Sequence, residues 1–149
     1  MKKITNSFKE TAAFGKELTA KLTGGTIVLL SGDLGAGKTA LTKGIAKGFG
    51  IKNEITSPTF TLMNVYQINK KTSQIKTLVH IDTYRLKDEK ELIEIGAEDY
   101  LGKDNTVCII EWPEKISKLL QNTNVKKNKI ISISIEHQPN SNQRKISLA

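Results

Sequence analysis

The chain has 149 residues, of which 38% are apolar and 26% charged, and its formal net charge is +8. This length is enough for one hydrophobic core and too short for a two-domain enzyme, and the composition is that of a folded rather than a disordered chain. Cys108 is the single cysteine, which excludes an intramolecular disulfide. One cysteine and two histidines that are far apart in sequence also do not make a zinc site. Neither a membrane-spanning run nor a secretory signal is evident, which favours a cytoplasmic protein without a membrane association.

The charge is distributed unevenly along the chain. Residues 1–81 carry a net charge of +8, residues 82–114 carry −6, and residues 115–149 carry +6. Lysine supplies 21 of the 23 basic side chains, and Arg85 and Arg144 supply the others. An acidic middle between basic ends is compatible with a polyanion or an acidic partner at one surface, and equally with a solvated lysine-rich surface.

Three elements are predicted in the first third of the chain. A helix begins after Ser7, a residue typical of helix N-caps, and ends at Gly24-Gly25. Residues 26–31 then form a continuous apolar run, which is typical of a central strand that is buried on both faces. A glycine-rich turn leads into a second helix, which runs from about Lys38 to Gly50.

Strands and helices continue to alternate in the rest of the chain. Residues 59–68 and 75–82 are two predicted strands joined by a polar turn, which indicates an antiparallel hairpin. The remaining predicted elements are a helix over 88–95, a strand over 106–110, a helix beginning at Pro113, and strands over 131–136 and 144–148. This order predicts an α/β fold with a mixed central β-sheet and antiparallel hairpins, flanked by helices, in one domain over residues 1–149.

The clearest chemical motif lies in the glycine-rich turn. Residues 32–39, Gly-Asp-Leu-Gly-Ala-Gly-Lys-Thr, match the pattern G-x-x-x-x-G-K-[ST] between a buried strand and a helix. Glycines let several backbone N–H groups point inward at an anion, Lys38 reaches the β- and γ-phosphates, and the Thr39 hydroxyl binds Mg²⁺. An ordinary glycine-rich turn is the alternative, but it gives no reason for the Lys-Thr pair. The motif therefore predicts a P-loop NTPase-like fold.

Two carboxylates are candidates for the chemistry beside that loop. Asp82 and Glu111 each end a buried strand, and P-loop proteins place a carboxylate near their metal ion. Glu111 follows the more continuous apolar run, so we expect it on the strand beside the P-loop and nearer the metal. Asp82 ends a hairpin strand further from the sheet centre, where it could orient the attacking water or couple the site to a partner.

Neighbouring residues leave alternatives open. His80 is interpreted as a packed strand residue rather than a ligand. Trp112 follows Glu111 directly and is either a core residue or part of a lid or switch. Arg85 is either a functional residue or a surface partner of Asp88 or Glu89.

Four ordered segments together resemble a known family. They are residues 32–39, Ser-Pro-Thr-Phe-Thr-Leu at 57–62, His-Ile-Asp-Thr-Tyr-Arg-Leu at 80–86, and Ile-Glu-Trp-Pro-Glu at 110–114. Over nearly its whole length the chain resembles the bacterial TsaE (YjeE-type) family. The resemblance implies a P-loop ATPase that is required for threonylcarbamoyladenosine formation on tRNA, uses ATP/ADP and Mg²⁺, and works with the proteins TsaD and TsaB.

The resemblance also implies roles for individual residues. The phosphate-binding positions are Gly35, Ala36, Gly37, Lys38, Thr39 and Ala40, with a second threonine often found in the family where this chain has Ala40. Thr39 would bind Mg²⁺, Glu111 resembles the metal-linked carboxylate, and Asp82 resembles an essential active-site carboxylate, so that Lys38, Asp82 and Glu111 are the expected catalytic residues.

The same resemblance assigns further residues to the rim of the site. Thr59, with Ser57 and Pro58, resembles a switch segment that meets the γ-phosphate. Trp112 resembles a tryptophan near that switch. The remaining assignments are Tyr84 and Arg85 to the switch or a partner, Phe8 and Thr11 to the border of the adenine, and Arg144 to a nucleotide contact near the C-terminal hairpin.

The leading functional hypothesis is an ATP-hydrolysing subunit that drives or resets a tRNA-modifying complex. Its ATPase activity is expected to be weak alone and to be stimulated by its partners. A small P-loop kinase or a nucleotide-dependent switch is the alternative. Two arginines are few for a kinase lid, and Asn69-Lys70-Lys71-Thr72 lacks the carboxylate with which a GTPase reads guanine. A tRNA-binding role is compatible with the leading hypothesis, and with few aromatic side chains for base stacking we expect that contact to be indirect or limited to the RNA backbone.

Overall fold

One sheet of seven strands runs through the computed structural model, which describes residues Met1–Ala149. Its strands, in chain order, are β1 (Lys2–Thr5), β2 (Ile27–Ser31), β3 (Met63–Gln67), β4 (Thr77–Asp82), β5 (Thr106–Glu111), β6 (Ile130–His137) and β7 (Arg144–Leu148). The α-helices are α1 (Phe8–Leu18), α2 (Lys38–Gly48), α3 (Lys90–Glu94) and α4 (Ser117–Asn122), and single 3₁₀ turns occur at Thr19–Lys21, Ala97–Asp99, Pro113–Ile116 and Lys127–Lys129.

The strand order is β1-β7-β6-β2-β5-β4-β3. The four inner strands β6, β2, β5 and β4 are parallel, and antiparallel strands complete both edges. The predicted mixed α/β sheet is thus confirmed, including the antiparallel pairing of β3 with β4. None of the four α-helices has the length and apolar composition that a membrane span requires.

Element boundaries differ from the sequence predictions at several points. β1 was not predicted, because three of its four residues are exposed and no alternating pattern reveals it. The strand expected over 59–68 begins only at Met63, since Leu62 has a positive φ of 64° and its N–H closes a turn on the carbonyl of Pro58. Pro113 opens a 3₁₀ turn rather than an α-helix, and α4 starts at Ser117. The first helix ends at Leu18 and continues only as a 3₁₀ turn.

Capping fixes where α1 begins. The Ser7 hydroxyl accepts a hydrogen bond from the Glu10 N–H at 3.1 Å, as predicted for an N-cap. The Glu10 carboxylate in turn accepts from the Asn6 N–H at 2.8 Å, one residue earlier than in a standard capping box. The helix therefore starts at Phe8, and its first turn lies next to the turn that follows β2.

Two glycines allow α1 to lie directly on α2. A Cβ added to Gly44 would come within 1.9 Å of the Ala12 carbonyl oxygen, and one added to Gly15 within 2.4 Å of the Leu41 carbonyl oxygen. No larger residue fits either position without moving the helices apart. The contact brings the start of α1 beside the start of α2.

The core has one layer on each face of the sheet. Val28, Leu30 and Ile109 face α1 and α2, whereas Ile27 and Ile110 face α3 and α4. Burial on both faces explains the continuous apolar runs of β2 and β5. Because the inner strands are parallel, the carboxyl ends of β2, β5 and β4 meet at one edge, where Ser31, Glu111 and Asp82 end their strands.

Candidate functional site

The turn between β2 and α2 has the backbone of an anion-binding nest. Gly32, Gly35 and Gly37 have positive φ angles of 150°, 77° and 117°. A Cβ on Gly32 would also approach the Ile135 carbonyl oxygen at 2.6 Å, so glycine is required there on two grounds. The turn ends at Gly37, the N-cap of α2, which leaves the free N–H groups of the first helical turn at the site.

Lys38 begins α2 and folds back over this turn. Its ammonium donates to the carbonyl oxygens of Gly32 and Asp33 at 2.5 and 2.9 Å, and lies 4.6 Å from the centroid of the Trp112 ring. Burial lowers its pKa from the usual 10.5, and the nearby charge of Glu111 opposes that shift. No carboxylate lies within ion-pair distance of the ammonium. The ammonium is therefore hydrogen-bonded only to neutral carbonyl groups, and an anion that enters the cleft can replace them as its partner.

The two candidate carboxylates occupy neighbouring strand ends with different surroundings. Glu111 on β5 lies beside β2, and Asp82 on β4 lies one strand further out, as the sequence predicted. Glu111 is only 3% exposed, and its Oε1 is 2.8 Å from Nε2 of His80. His80 is buried, as expected for a packed strand residue, but its bond to Glu111 was not anticipated.

Asp82 is bound by the segment that the sequence analysis assigned to a switch. Its Oδ2 accepts hydrogen bonds from the hydroxyls of Ser57 and Thr59 at 3.3 and 3.2 Å, and its Oδ1 accepts from the Tyr84 N–H at 2.9 Å. Pro58 is buried, and its carbonyl anchors the turn at Leu62 rather than facing the site. The loop at 57–59 thus contacts the site through two hydroxyl groups, which both bind the carboxylate of Asp82.

Trp112 is neither part of the core nor in an ordinary backbone conformation. It is half-buried, has a left-handed φ of 57°, and its ring lies 5.1 Å from that of Tyr84. Thr83, which the sequence analysis missed, is buried, and its hydroxyl lies 2.6 Å from the Trp112 carbonyl oxygen and 2.9 Å from that of Glu111. This one hydroxyl ties the end of β4 to the turn that carries the tryptophan.

Arg85 does not form the surface ion pair that was one alternative. Its guanidinium carbon lies 4.4 Å from the centroid of the Phe60 ring, and neither Asp88 nor Glu89 lies within ion-pair distance of it. Phe60 is 82% exposed. The arginine consequently contacts the Ser57–Leu62 loop rather than the acidic residues that follow it in sequence.

The residues assigned to the adenine border, Phe8 and Thr11, and the one assigned to a further nucleotide contact, Arg144, gather beside Gly37 at the other end of the phosphate loop. The Arg144 guanidinium carbon lies 4.1 Å from the centroid of the Phe8 ring, and a Cβ on Gly37 would lie 3.6 Å from Arg144 and 3.7 Å from Thr11. Arg144 is 5% exposed, and its Nε has no hydrogen-bond partner. The Thr11 hydroxyl is 2.8 Å from that of Thr5 on β1, which fixes it beneath the loop.

A cleft of about 780 Å³ joins these groups. Most of the expected site residues line it: Phe8, Gly35, Gly37, Lys38, Thr39, Ala40, Ser57, Thr59, Asp82, Tyr84, Arg85, Glu111 and Trp112. Thr11, Ala36, Pro58 and Arg144 do not line it and lie behind its wall. Sequence reasoning missed Lys9, Ala12, Leu34 and Lys43, although Ala12 and Lys43 follow Phe8 and Thr39 by one helical turn, a spacing that could have revealed them.

The donor set at the cleft fits a magnesium ion that is shared with a phosphate. No group of three or more His, Cys, Asp or Glu side chains is arranged to hold a metal by itself. Mg²⁺ in phosphate sites usually takes one or two protein oxygens and completes its shell with phosphate and water. The Thr39 hydroxyl and the Glu111 and Asp82 carboxylates, all at the cleft, are oxygens of that kind.

The parallel inner strands, the glycine turn and the lysine at the start of α2 define an α/β protein with a P-loop NTPase-like fold. A family model described as "Threonylcarbamoyl adenosine biosynthesis protein TsaE" matches residues 5–146. The chain therefore belongs to the TsaE family, which is involved in tRNA threonylcarbamoyladenosine biosynthesis. The family resemblance found in the sequence is thereby confirmed.

Individual relatives agree with this assignment. The chain is 41% identical over 120 residues to the tRNA threonylcarbamoyladenosine biosynthesis protein TsaE of Treponema pallidum, a match that covers 80% of this chain and 84% of the relative. It is 45% identical over 118 residues to the protein of the same name from Rickettsia bellii, covering 78% and 77%. The crystal structure of YdiB from Bacillus subtilis superposes with a TM-score of 0.70 at 29% identity, covering 99% of this chain and 83% of that one.

Proposed function

We propose that this protein binds and hydrolyses ATP with Mg²⁺, and that hydrolysis drives or resets a complex of TsaB and TsaD that modifies tRNA. The observation that carries the proposal is the placement of Lys38 and Glu111. A lysine at the start of α2, above a glycine nest, shares one cleft with a buried carboxylate on the adjoining parallel strand. A P-loop protein needs this pair of groups to hold a nucleoside triphosphate and its metal ion.

Each group has a distinct task in the proposed reaction. The N–H groups from Gly35 to Ala40 and the Lys38 ammonium bind the phosphates, and the Thr39 hydroxyl and Glu111 hold Mg²⁺, which when bound offsets the negative charge of the β- and γ-phosphates. Asp82, which already accepts hydrogen bonds from two hydroxyls, orients the attacking water. Phe8, which lines the cleft, borders the adenine.

The composition of the cleft favours slow hydrolysis by the protein alone. Arg85 is the one arginine that lines the cleft, and its guanidinium is stacked on Phe60. Efficient phosphoryl transfer usually needs additional positive charge at the γ-phosphate, which P-loop proteins often receive from a partner. We therefore propose that TsaB and TsaD stimulate the reaction, and that contact with tRNA is indirect or limited to its backbone. A small kinase has less support, since lid arginines are missing.

The test compares ATP with GTP in binding and hydrolysis assays, with and without purified TsaB and TsaD. Lys38→Ala is the test variant, and Lys47→Ala, which removes an exposed lysine from the same helix, is its matched control. We expect ATP-selective binding, slow hydrolysis that rises with the partners, and loss of both in the Lys38 variant alone. Equal hydrolysis by the two variants would contradict the proposal, as would rapid turnover by the isolated protein.

A further inference from the structure

His80 lies in a layer of apolar side chains and yet makes one specific polar contact. It is completely buried, pairs with Ile109 of β5 in the sheet register, and shares its face of β4 with Leu78 and Asp82. Its Nε2 is 2.8 Å from Oε1 of Glu111, while its Nδ1 has no hydrogen-bond partner. A buried nitrogen without a partner destabilises a fold, so packing alone gives no reason for an imidazole here.

Glu111 has no other side chain to hold it. The hydrogen bond to His80 is the only one its carboxylate makes within the chain. Asp82 ends the neighbouring strand and repels it, and the Lys38 ammonium is bound to the carbonyl oxygens of Gly32 and Asp33 instead. Without His80, no group of the chain would hydrogen-bond this buried carboxylate at the cleft.

We infer that His80 is the positioning residue for Glu111: through Nε2–H it fixes one carboxylate oxygen and leaves the other for the metal side of the cleft. This inference rests on the proposed Mg²⁺ and ATP site. Because a carboxylate oxygen accepts, Nε2 carries the proton of this hydrogen bond. Groups that orient a metal-binding side chain in this way typically change metal affinity or activity by about 10- to 100-fold when they are removed.

Two substitutions separate positioning from packing. His80→Gln can place an amide N–H near the position of Nε2, whereas His80→Phe fills the apolar layer but donates no hydrogen bond. His137→Phe, which changes the exposed second histidine, is the control. Binding of a non-hydrolysable ATP analogue is measured by calorimetry with and without Mg²⁺, alongside thermal unfolding.

We expect the variants to differ in analogue binding with Mg²⁺ but not in binding without Mg²⁺. His80→Phe should lose about tenfold in the enhancement of analogue binding by Mg²⁺ and keep the wild-type affinity without Mg²⁺, and His80→Gln should recover most of that enhancement. A purely structural role would weaken both conditions together and would give no recovery with glutamine. If His80→Phe does not fold, His80→Asn, whose amide is too short to reach Glu111, takes its place.

The hydrogen bond between His80 and Glu111 can be detected directly in the absence of nucleotide. NMR of the ring nitrogens should show a slowly exchanging proton on Nε2 whose chemical shift changes in Glu111→Gln. An Nε2 without a proton, or a signal that does not respond to Glu111→Gln, would overturn the inference. If the wild type shows this signal but binds no ATP analogue, the proposed function fails although the contact exists. If it binds with Mg²⁺ and His80→Phe is unchanged, only the positioning role fails.

Discussion

Asp82 and Glu111 are Cα partners at the ends of two parallel strands, but their carboxylates are held by unrelated groups. Glu111 is bound from within the sheet by His80, and Asp82 is bound by hydroxyls of the loop at 57–59. One carboxylate is therefore fixed by the core, and the other is tied to a segment at the surface. Two acids in such different surroundings are suited to different tasks.

The first prediction separates those two tasks. Glu111→Ala should weaken Mg²⁺-dependent ATP binding, because it removes the carboxylate nearest the phosphate loop. Asp82→Ala should leave binding largely intact and abolish hydrolysis, because it removes the acceptor proposed to orient water. Calorimetry of ATP with titrated Mg²⁺, with single-turnover hydrolysis alongside, measures both. The opposite pattern, with Mg²⁺ affinity lost in the Asp82 variant and kept in the Glu111 variant, would exchange the roles.

The second prediction concerns the lysine of the phosphate loop. Lys38→Ala should remove productive ATP binding while the protein stays folded, because its ammonium bonds only to loop carbonyls in the free protein. A hydrogen bond to a charged group typically contributes about 1.5–3 kcal/mol, which corresponds to a loss in affinity of more than tenfold. Circular dichroism checks the fold and calorimetry the affinity. Wild-type binding by a folded variant would rule out the phosphate-loop assignment.

The third prediction tests the hydroxyl that holds the tryptophan turn. Thr83→Val keeps the shape of the side chain but removes the donor to the Glu111 and Trp112 carbonyl oxygens. Left-handed backbone at a residue such as Trp112 costs on the order of 1–3 kcal/mol and persists only where its surroundings hold it. Because Trp112 is the only tryptophan, its fluorescence should change in this variant. Thr77→Val, at the opposite end of β4, should leave the emission unaltered, and an unaltered spectrum for Thr83→Val would disprove the link.

The fourth prediction follows from the buried thiol. Burial raises the pKa of Cys108 from 9.0 to about 12, so between these values the folded protein holds a proton that the unfolded chain has lost. The unfolded state then binds fewer protons, and the free energy of unfolding falls as pH rises from about 9 toward 12, by up to about 1.4 kcal/mol per pH unit. Chemical denaturation at pH 7 and pH 10 should show a smaller alkaline loss for Cys108→Ala than for the wild type. Identical losses would contradict the shift.

Local motifs explain why much of the site could be predicted from sequence. Residues 32–39 form a contiguous signal, and two apolar runs that end in Asp82 and Glu111 place those acids at the same edge of a parallel sheet. The bond from His80 to Glu111 could not be predicted, because it depends on the register between strands 31 residues apart in sequence. The short strand β1 escaped prediction for another reason: its pairing with β7, rather than any pattern of its own, makes it a strand.

The glycine contact between α1 and α2 gives the cleft two walls of unequal stiffness. At Gly15 and Gly44 the two helix backbones are in direct contact, so the helices behind Phe8, Lys9 and Lys43 cannot slide past each other without backbone clashes. The facing wall consists of the 57–62 loop, Tyr84 and Trp112, joined by single hydrogen bonds and ring contacts. If the cleft opens or closes, we expect the second wall to move and the helical wall to stay in place.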